Sequence, residues 1–280
     1  MVVRAKILSL AGAATLLSTA ALAADLPAPD YGPPAMVDVG AYYLRGNVGV
    51  GIQQFRGFNF SPTTILPWLT AWNVDQKGIN DTLFVGFGFG YQWNNWLRID
   101  FTADYRPQAK FHAGATSFNG INTGGRDLFN GNHSAIVALA NVYYDLGTWW
   151  CLTPFVGLGI GGAYHKIDSF TDLASNVDGL GASGLRFASS DRVQWTFAWA
   201  VHAGLAYSVT NNLKLEFAYR YLNLGNPQTP EIDCTPAVCG TIFTRRAFYT
   251  LATFDSHDFM IGLRWMLQQE PAPPPVIRKG

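Results

Sequence analysis

WLRIDFTADYR, residues Trp96 to Arg106, alternates two kinds of side chain without a break. Leu97, Ile99, Phe101, Ala103 and Tyr105 suit an apolar solvent. Arg98, Asp100, Thr102, Asp104 and Arg106 suit water, and four of these five are charged. Side chains of a β-strand point to opposite faces with period two, so the stretch predicts a strand with one apolar and one charged face. The fold then depends on what lies against each face.

Seven further segments read the same way. AYYLRGNVGVGIQQF sets Leu44, Val48, Val50 and Ile52 against Arg45 and Asn47. TLFVGFGFGYQW sets Val85, Phe87, Phe89, Tyr91 and Trp93 against glycines. HSAIVALANVYYDL is the least clean, apolar on both faces, with Asn141 and Asp145 on one side. LTPFVGLGIGGAYHKI opposes Val156, Leu158, Ile160 and Tyr164 to glycines, and RVQWTFAWAVHAGLAYSV carries Trp195, Phe197 and Trp199 on a single face. LKLEFAYRYL and DFMIGLRWML complete the set, hiding Lys214, Glu216 and Arg220, then Asp258 and Arg264, behind Leu, Phe, Tyr and Trp.

The gaps between these eight segments alternate in length. NN, GTWWC and TNN are brief, whereas the other connections run to roughly 25 residues or more and are rich in Gly, Asn, Ser, Thr and Pro. Loops that long are uncommon in a compact soluble domain. Short turns at one end and long loops at the other are the signature of an outer-membrane barrel. The expected fold is therefore all-β, an eight-stranded antiparallel transmembrane β-barrel over residues 41–267. The competing reading, a secreted β-sandwich with one wet face, leaves the row Trp195, Phe197 and Trp199 facing water.

Composition agrees with a lipid setting. Charged residues make up 14% of the 280, aromatics another 14%, and the formal net charge is zero. A balanced chain lacks the basic surface of a nucleic-acid binder, so no nucleic-acid partner is expected. Arg4 and Lys6 precede the apolar run ILSLAGAATLLSTAALA, which ends in Ala21-Leu22-Ala23. That pattern predicts a secretory signal peptide over residues 1–23, cleaved between Ala23 and Ala24. Nothing beyond residue 24 reaches the 18 apolar residues of a membrane helix. Residues 24–40 and 268–280 are proline-rich and read as extended periplasmic segments flanking the barrel.

On the inward faces, Arg45, Arg98, Arg106, Lys214, Arg220 and Arg264 meet Asp100, Asp104, Asp145, Glu216 and Asp258. An eight-stranded barrel is barely wide enough for its own side chains, and buried charges need partners. These residues form either an ion-pair network that plugs the lumen or the filter of a narrow pore. Cys234 and Cys239, in CTPAVC on the last long loop, are expected to form a disulfide in an oxidising compartment. Cys151, in a short turn at the other end, is expected to stay free.

No catalytic residue, metal ligand or cofactor is assigned. His133 and Ser134 are sequential on a strand and point to opposite faces, so the pair cannot act as base and nucleophile. His112, His165, His202 and His257 are scattered along the chain. Tyr91, Trp93, Trp96, Tyr143, Tyr144, Trp149, Trp150, Tyr207 and Trp265, near the short turns, read as a periplasmic interface girdle.

NVYYDLGTWWCLTPFVGLGIGGAY (residues 141–164), with AADLP at residue 23 onward and the closing HDFMIGLRWML, resembles the porin-like outer-membrane β-barrel proteins of alphaproteobacteria. That family includes the major surface antigens of rhizobia. The resemblance covers Ala24 to about Leu267 and implies roles in envelope integrity and host contact, under the common label of porin. It departs after Leu267, where QQEPAPPPVIRKG replaces the usual terminal aromatic. The expected function is a structural and surface role with long external loops for host or environment contact. The alternatives are a small porin-like channel and, third, a lipid A-modifying enzyme. Expected partners are outer-membrane lipid and lipopolysaccharide, the barrel-assembly machinery, and peptidoglycan or a host surface.

Overall fold

The structure is a computed structural model that describes residues 40–62, 71–118, 123–175, 184–188, 190–233 and 246–267. The chain divides into two units, Met1–Ala35 and Met36–Gly280, and the described residues belong to the second. The strands in chain order are β1 (Ala41–Pro62), β2 (Ala71–Ile79), β3 (Thr82–Gln92), β4 (Leu97–Phe118), β5 (Thr123–Asp145) and β6 (Leu152–Ser175). They continue with β7 (Gly184–Phe187), β8 (Arg192–Ser208), β9 (Leu213–Asn223), β10 (Ile232–Asp233) and β11 (Arg246–Met266).

Eight of these close a ring in the order β1, β3, β4, β5, β6, β8, β9, β11, and β11 returns to β1. Every pairing is antiparallel. The closing seam runs from Tyr43↔Met266 to Pro62↔Ala247. Closure leaves no edge in the ring, which is the only way strands can satisfy their backbone in hydrocarbon. The remaining strands attach at the rim: β2 on β4, β7 on β6 and β10 on β11.

The alternation of the sequence becomes an inside and an outside. Phe101 is 68% exposed, while Arg98 beside it in the same stretch is 0% exposed. Phe87, Leu158, Trp195, Phe197, Ile261 and Trp265 stand outward in the same way. Tight turns join the strands at one end. In the turn after β3, Asn94 Oδ1 accepts from the amides of Trp96 (2.9 Å) and Leu97 (2.7 Å). Before β9, Thr210 Oγ1 accepts from the Leu213 amide at 3.0 Å. Trp150 and Cys151 take left-handed φ values of 48° and 68° in the turn before β6.

The other end differs from the sequence expectation. Much of what reads as long loop is strand: β4, β5 and β6 run for 22, 23 and 24 residues, where a span needs about 9 to 11. The β4–β5 ladder continues to Phe118↔Thr123. Outward residues change from Tyr105, Ile136 and Tyr164 to Lys110, Asn130 and Lys166, so the sheet leaves the hydrocarbon there and rises beyond it. Cross-strand bonding continues because neighbouring strands supply every register partner, whatever the solvent outside.

Candidate functional site

The lumen is packed in layers, and the lowest is ionic. Each of the eleven charged residues assigned inward is at most 7% exposed. Glu216 on β9 sits among three guanidiniums: Arg45 Nη2 at 3.1 Å, Arg264 Nε at 3.0 Å and Arg98 Nη1 at 3.7 Å. Asp100 on β4 accepts from Arg45 Nη1 at 2.9 Å, Tyr43 Oη at 3.1 Å and Asn141 Nδ2 at 2.8 Å. Asp145 takes Arg98 Nε at 3.1 Å. One layer further out, Asp258 pairs with Arg106 and with Arg220 Nε at 2.8 Å, and Arg220 Nη1 reaches Asp104 at 2.6 Å. Lys214 is buried beside Arg264 in the β9–β11 register.

Aromatic rings fill the spaces between these charges. Arg98 lies 4.1 Å from the Tyr143 ring centre and Arg106 lies 4.6 Å from that of Phe84. Tyr143 is thus an inward residue, 1% exposed, and not part of the interface girdle its neighbours suggest. A side chain at position 143 shares the face of Asn141 and Asp145, and the pleat decides the matter.

The middle layer holds a pair that sequence reasoning left scattered. His133 Nε2 and His165 Nδ1 are 2.8 Å apart, and His165 Nε2 is 2.8 Å from Thr196 Oγ1. Both rings are buried against Phe254. Above them Phe58, Phe111, Phe129, Phe170 and Tyr249 form a buried aromatic cluster, with Phe129 and Tyr249 centroids 4.4 Å apart.

At the outer rim, Arg186 of β7 reaches across β6 to Asp127 at 2.9 Å and to Asp172. Burial pushes both carboxyl groups up, and each feels the other. Burial likewise pushes the Tyr249 hydroxyl beneath them well above its usual range, helped by those two carboxylates. Among the described residues no group of His, Cys, Asp and Glu could hold a metal ion. Cys151 is a free thiol. Cys234, Cys239, Ala23 and Ala24 lie outside the described residues.

An antiparallel ring with an apolar belt, tight turns at one end and a sheet rising from the other is now in view. A sequence profile described as "Outer membrane protein beta-barrel domain" matches residues 9–237. The chain belongs to the outer-membrane β-barrel protein family. This outer-membrane barrel is 31% identical to an uncharacterized protein of Brucella abortus, over 74% of this chain and 76% of the relative. It is also 31% identical to the outer membrane protein PagN of Salmonella typhimurium, over 80% of this chain and 88% of the relative. A putative adhesin of Rickettsia prowazekii is 24% identical over 80% of this chain. The crystal structure of OprG from Pseudomonas aeruginosa matches with a TM-score of 0.48 at 15% identity, covering 81% of this chain and 96% of that chain. The protein is an integral component of the bacterial outer membrane, with a structural and surface place in the envelope.

Proposed function

We propose that the barrel works through its outer surface, holding a rigid sheet and its loops above the membrane for contact with host or environment, and that it passes no solute. The carrying observation is the lumen, which holds buried charge pairs, then the His133–His165 pair, then the stacked rings of Phe58 and Tyr249. Charges so enclosed hold each other in place, and moving one to admit a solute leaves its partner unpaired in a poor solvent. The relatives named for outer-membrane and adhesin roles support a surface task. The resemblance of residues 141–164 to the surface antigens of rhizobia supports the same reading.

The full reading has a leader removed between Ala23 and Ala24, a Cys234–Cys239 disulfide on the last loop and insertion by the barrel-assembly machinery. Lipopolysaccharide is its lipid partner, with a host surface above and peptidoglycan near the proline-rich tail. Single-channel recording on the refolded mature chain in a planar bilayer tests the closed lumen. Protease-protected insertion without current is expected. Stable, reproducible conductance steps would replace this reading by the porin-like one.

A further inference from the structure

The lipid-facing wall of β3 to β6 is not uniformly bulky. The register aligns three outward rows across these strands. One row is Phe89, Phe101, Ala140 and Ile160; the next is Phe87, Ala103, Ala138 and Gly162; the third is Val85, Tyr105, Ile136 and Tyr164. Three adjacent strands thus present nothing larger than a methyl group in the middle row. Large rings and Ile160 stand around it, and the result is a groove of about 630 Å³ walled by Phe87, Phe101, Ala103, Ala138, Ala140 and Ile160. The groove is open on its outer side, so a chain would lie along it and not be enclosed.

Its position says which lipid reaches it. The groove lies just beneath Tyr105, Ile136 and Tyr164, the last apolar outward residues before the sheet turns polar, and so in the outer half of the membrane. Above that line the same strands carry donors. Lys110 is in register with Asn132 and Asp168, and Ser134 with Lys166. Asp168 is occupied by Gln108 Nε2 and Asn132 Nδ2, each at 3.0 Å. Lys166 pairs with Asp191 at 3.1 Å, across side chains 47% and 51% exposed, and also feels the Asp168 carboxylate; an incoming phosphate would exchange with the exposed Asp191 contact. From Ile160 to Lys166 is six residues, about 20 Å along the strand at about 3.3 Å each. That is the reach of one extended acyl chain below a phosphorylated headgroup.

The geometry points to a docking site for one molecule of lipid A on this face, an acyl chain in the groove over Ala103, Ala138 and Ala140 and a phosphate against Lys110 and Lys166. The inference rests on the reading of lipopolysaccharide as a partner and gives that partner a place. It does not depend on whether the lumen conducts.

The test is native mass spectrometry of the refolded full mature barrel, titrated with diphosphoryl lipid A and separately with phosphatidylglycerol. Folding of every variant is checked by heat-modifiable migration in gels. The wild type is expected to retain one lipid A in preference to phosphatidylglycerol. Ala138→Phe, which fills the groove from outside the barrel, is expected to cut retention at least fivefold. The double variant Lys110→Ala/Lys166→Ala, changed only above the membrane, is expected to lose the preference while still binding both lipids weakly. Equal retention by wild type and both variants would overturn the site and leave the partner reading standing. No retention of lipid A by the wild type would overturn both. Paired chains in place of bound lipid, abolished by Ala138→Phe, would assign the groove to a second copy and overturn the lipid site.

Discussion

At the residue scale, the lumen shows why particular side chains are small. A Cβ on Gly159 would come within 2.1 Å of Asn141 Oδ1, and one on Gly86 would meet Asn47 Oδ1 at 2.6 Å. The glycine faces that leave space in the sequence are therefore space already taken by neighbours' polar groups. Glu216 is the residue on which the lower layer turns. Glu216→Gln removes the negative charge that Arg45, Arg98 and Arg264 share, leaving Arg45 with Asp100 and Arg98 with Asp145, and should destabilise the barrel by about 3 to 5 kcal/mol, as loss of one partner of a buried pair does. Urea titration in micelles, followed by gel mobility, would read this as a lowered midpoint; an unchanged midpoint would mean the three arginines find other anions. Outside, Phe101 stands at the middle of the apolar run Leu97–Tyr105. Phe101→Arg should cost about 2 to 4 kcal/mol, the price of a cation on the lipid face at mid-depth. Bilayer folding yields would show it, and a normal yield would reverse the assignment of inside and outside.

At the element scale, the strands were legible wherever lipid enforces alternation, and obscure where it does not. Leu97–Tyr105 declares itself because every second residue must be apolar. TGGRDLFNG, in the outer part of β5, reads as loop because glycine, asparagine and charge are acceptable on both faces once water lies outside. The His133–His165 pair was hidden for another reason. The two lie 32 positions apart, and only the β5–β6 register, with its irregularity between Asn130 and Asn132, sets His133 next to Ile167 and His165 next to Ala135. β7 makes a prediction of its own. Its Arg186 rests between Asp127 and Asp172, whose carboxyl groups burial raises to about 6 and about 8, against about 3.9 in an open chain. The folded rim therefore holds protons more tightly than the unfolded one, so its stability is full at low pH and declines as pH rises from about 4 to about 8. Hydrogen exchange at the β7 amides should accelerate between pH 5.5 and 8.5 beyond the intrinsic base-catalysed rise. Asp172→Asn should remove the excess, and its persistence would mean that another group governs the rim.

At the scale of the whole molecule, the charged interior could be read from the chain because eleven residues fell on the hidden phase of a period-two pattern. What could not be read was who meets whom. Glu216 with Arg45, Asp104 with Arg220 and Arg106 with Asp258 are encounters across the bore, fixed by tilt and closure and not by spacing. The aromatic cap was invisible for the same reason, since Phe58, Phe129 and Tyr249 come from β1, β5 and β11.

The seam between β1 and β11 carries a further meaning in time. Arg45 belongs to the first strand of the ring, Glu216 to the seventh and Arg264 to the last. The earliest strand thus answers its charge in two steps, at Asp100 on the third strand and at Glu216 on the seventh, while Glu216 itself waits for Arg264 on the last. A half-made chain carries an open edge and an incomplete charge cluster together, and both are completed when the final strand arrives.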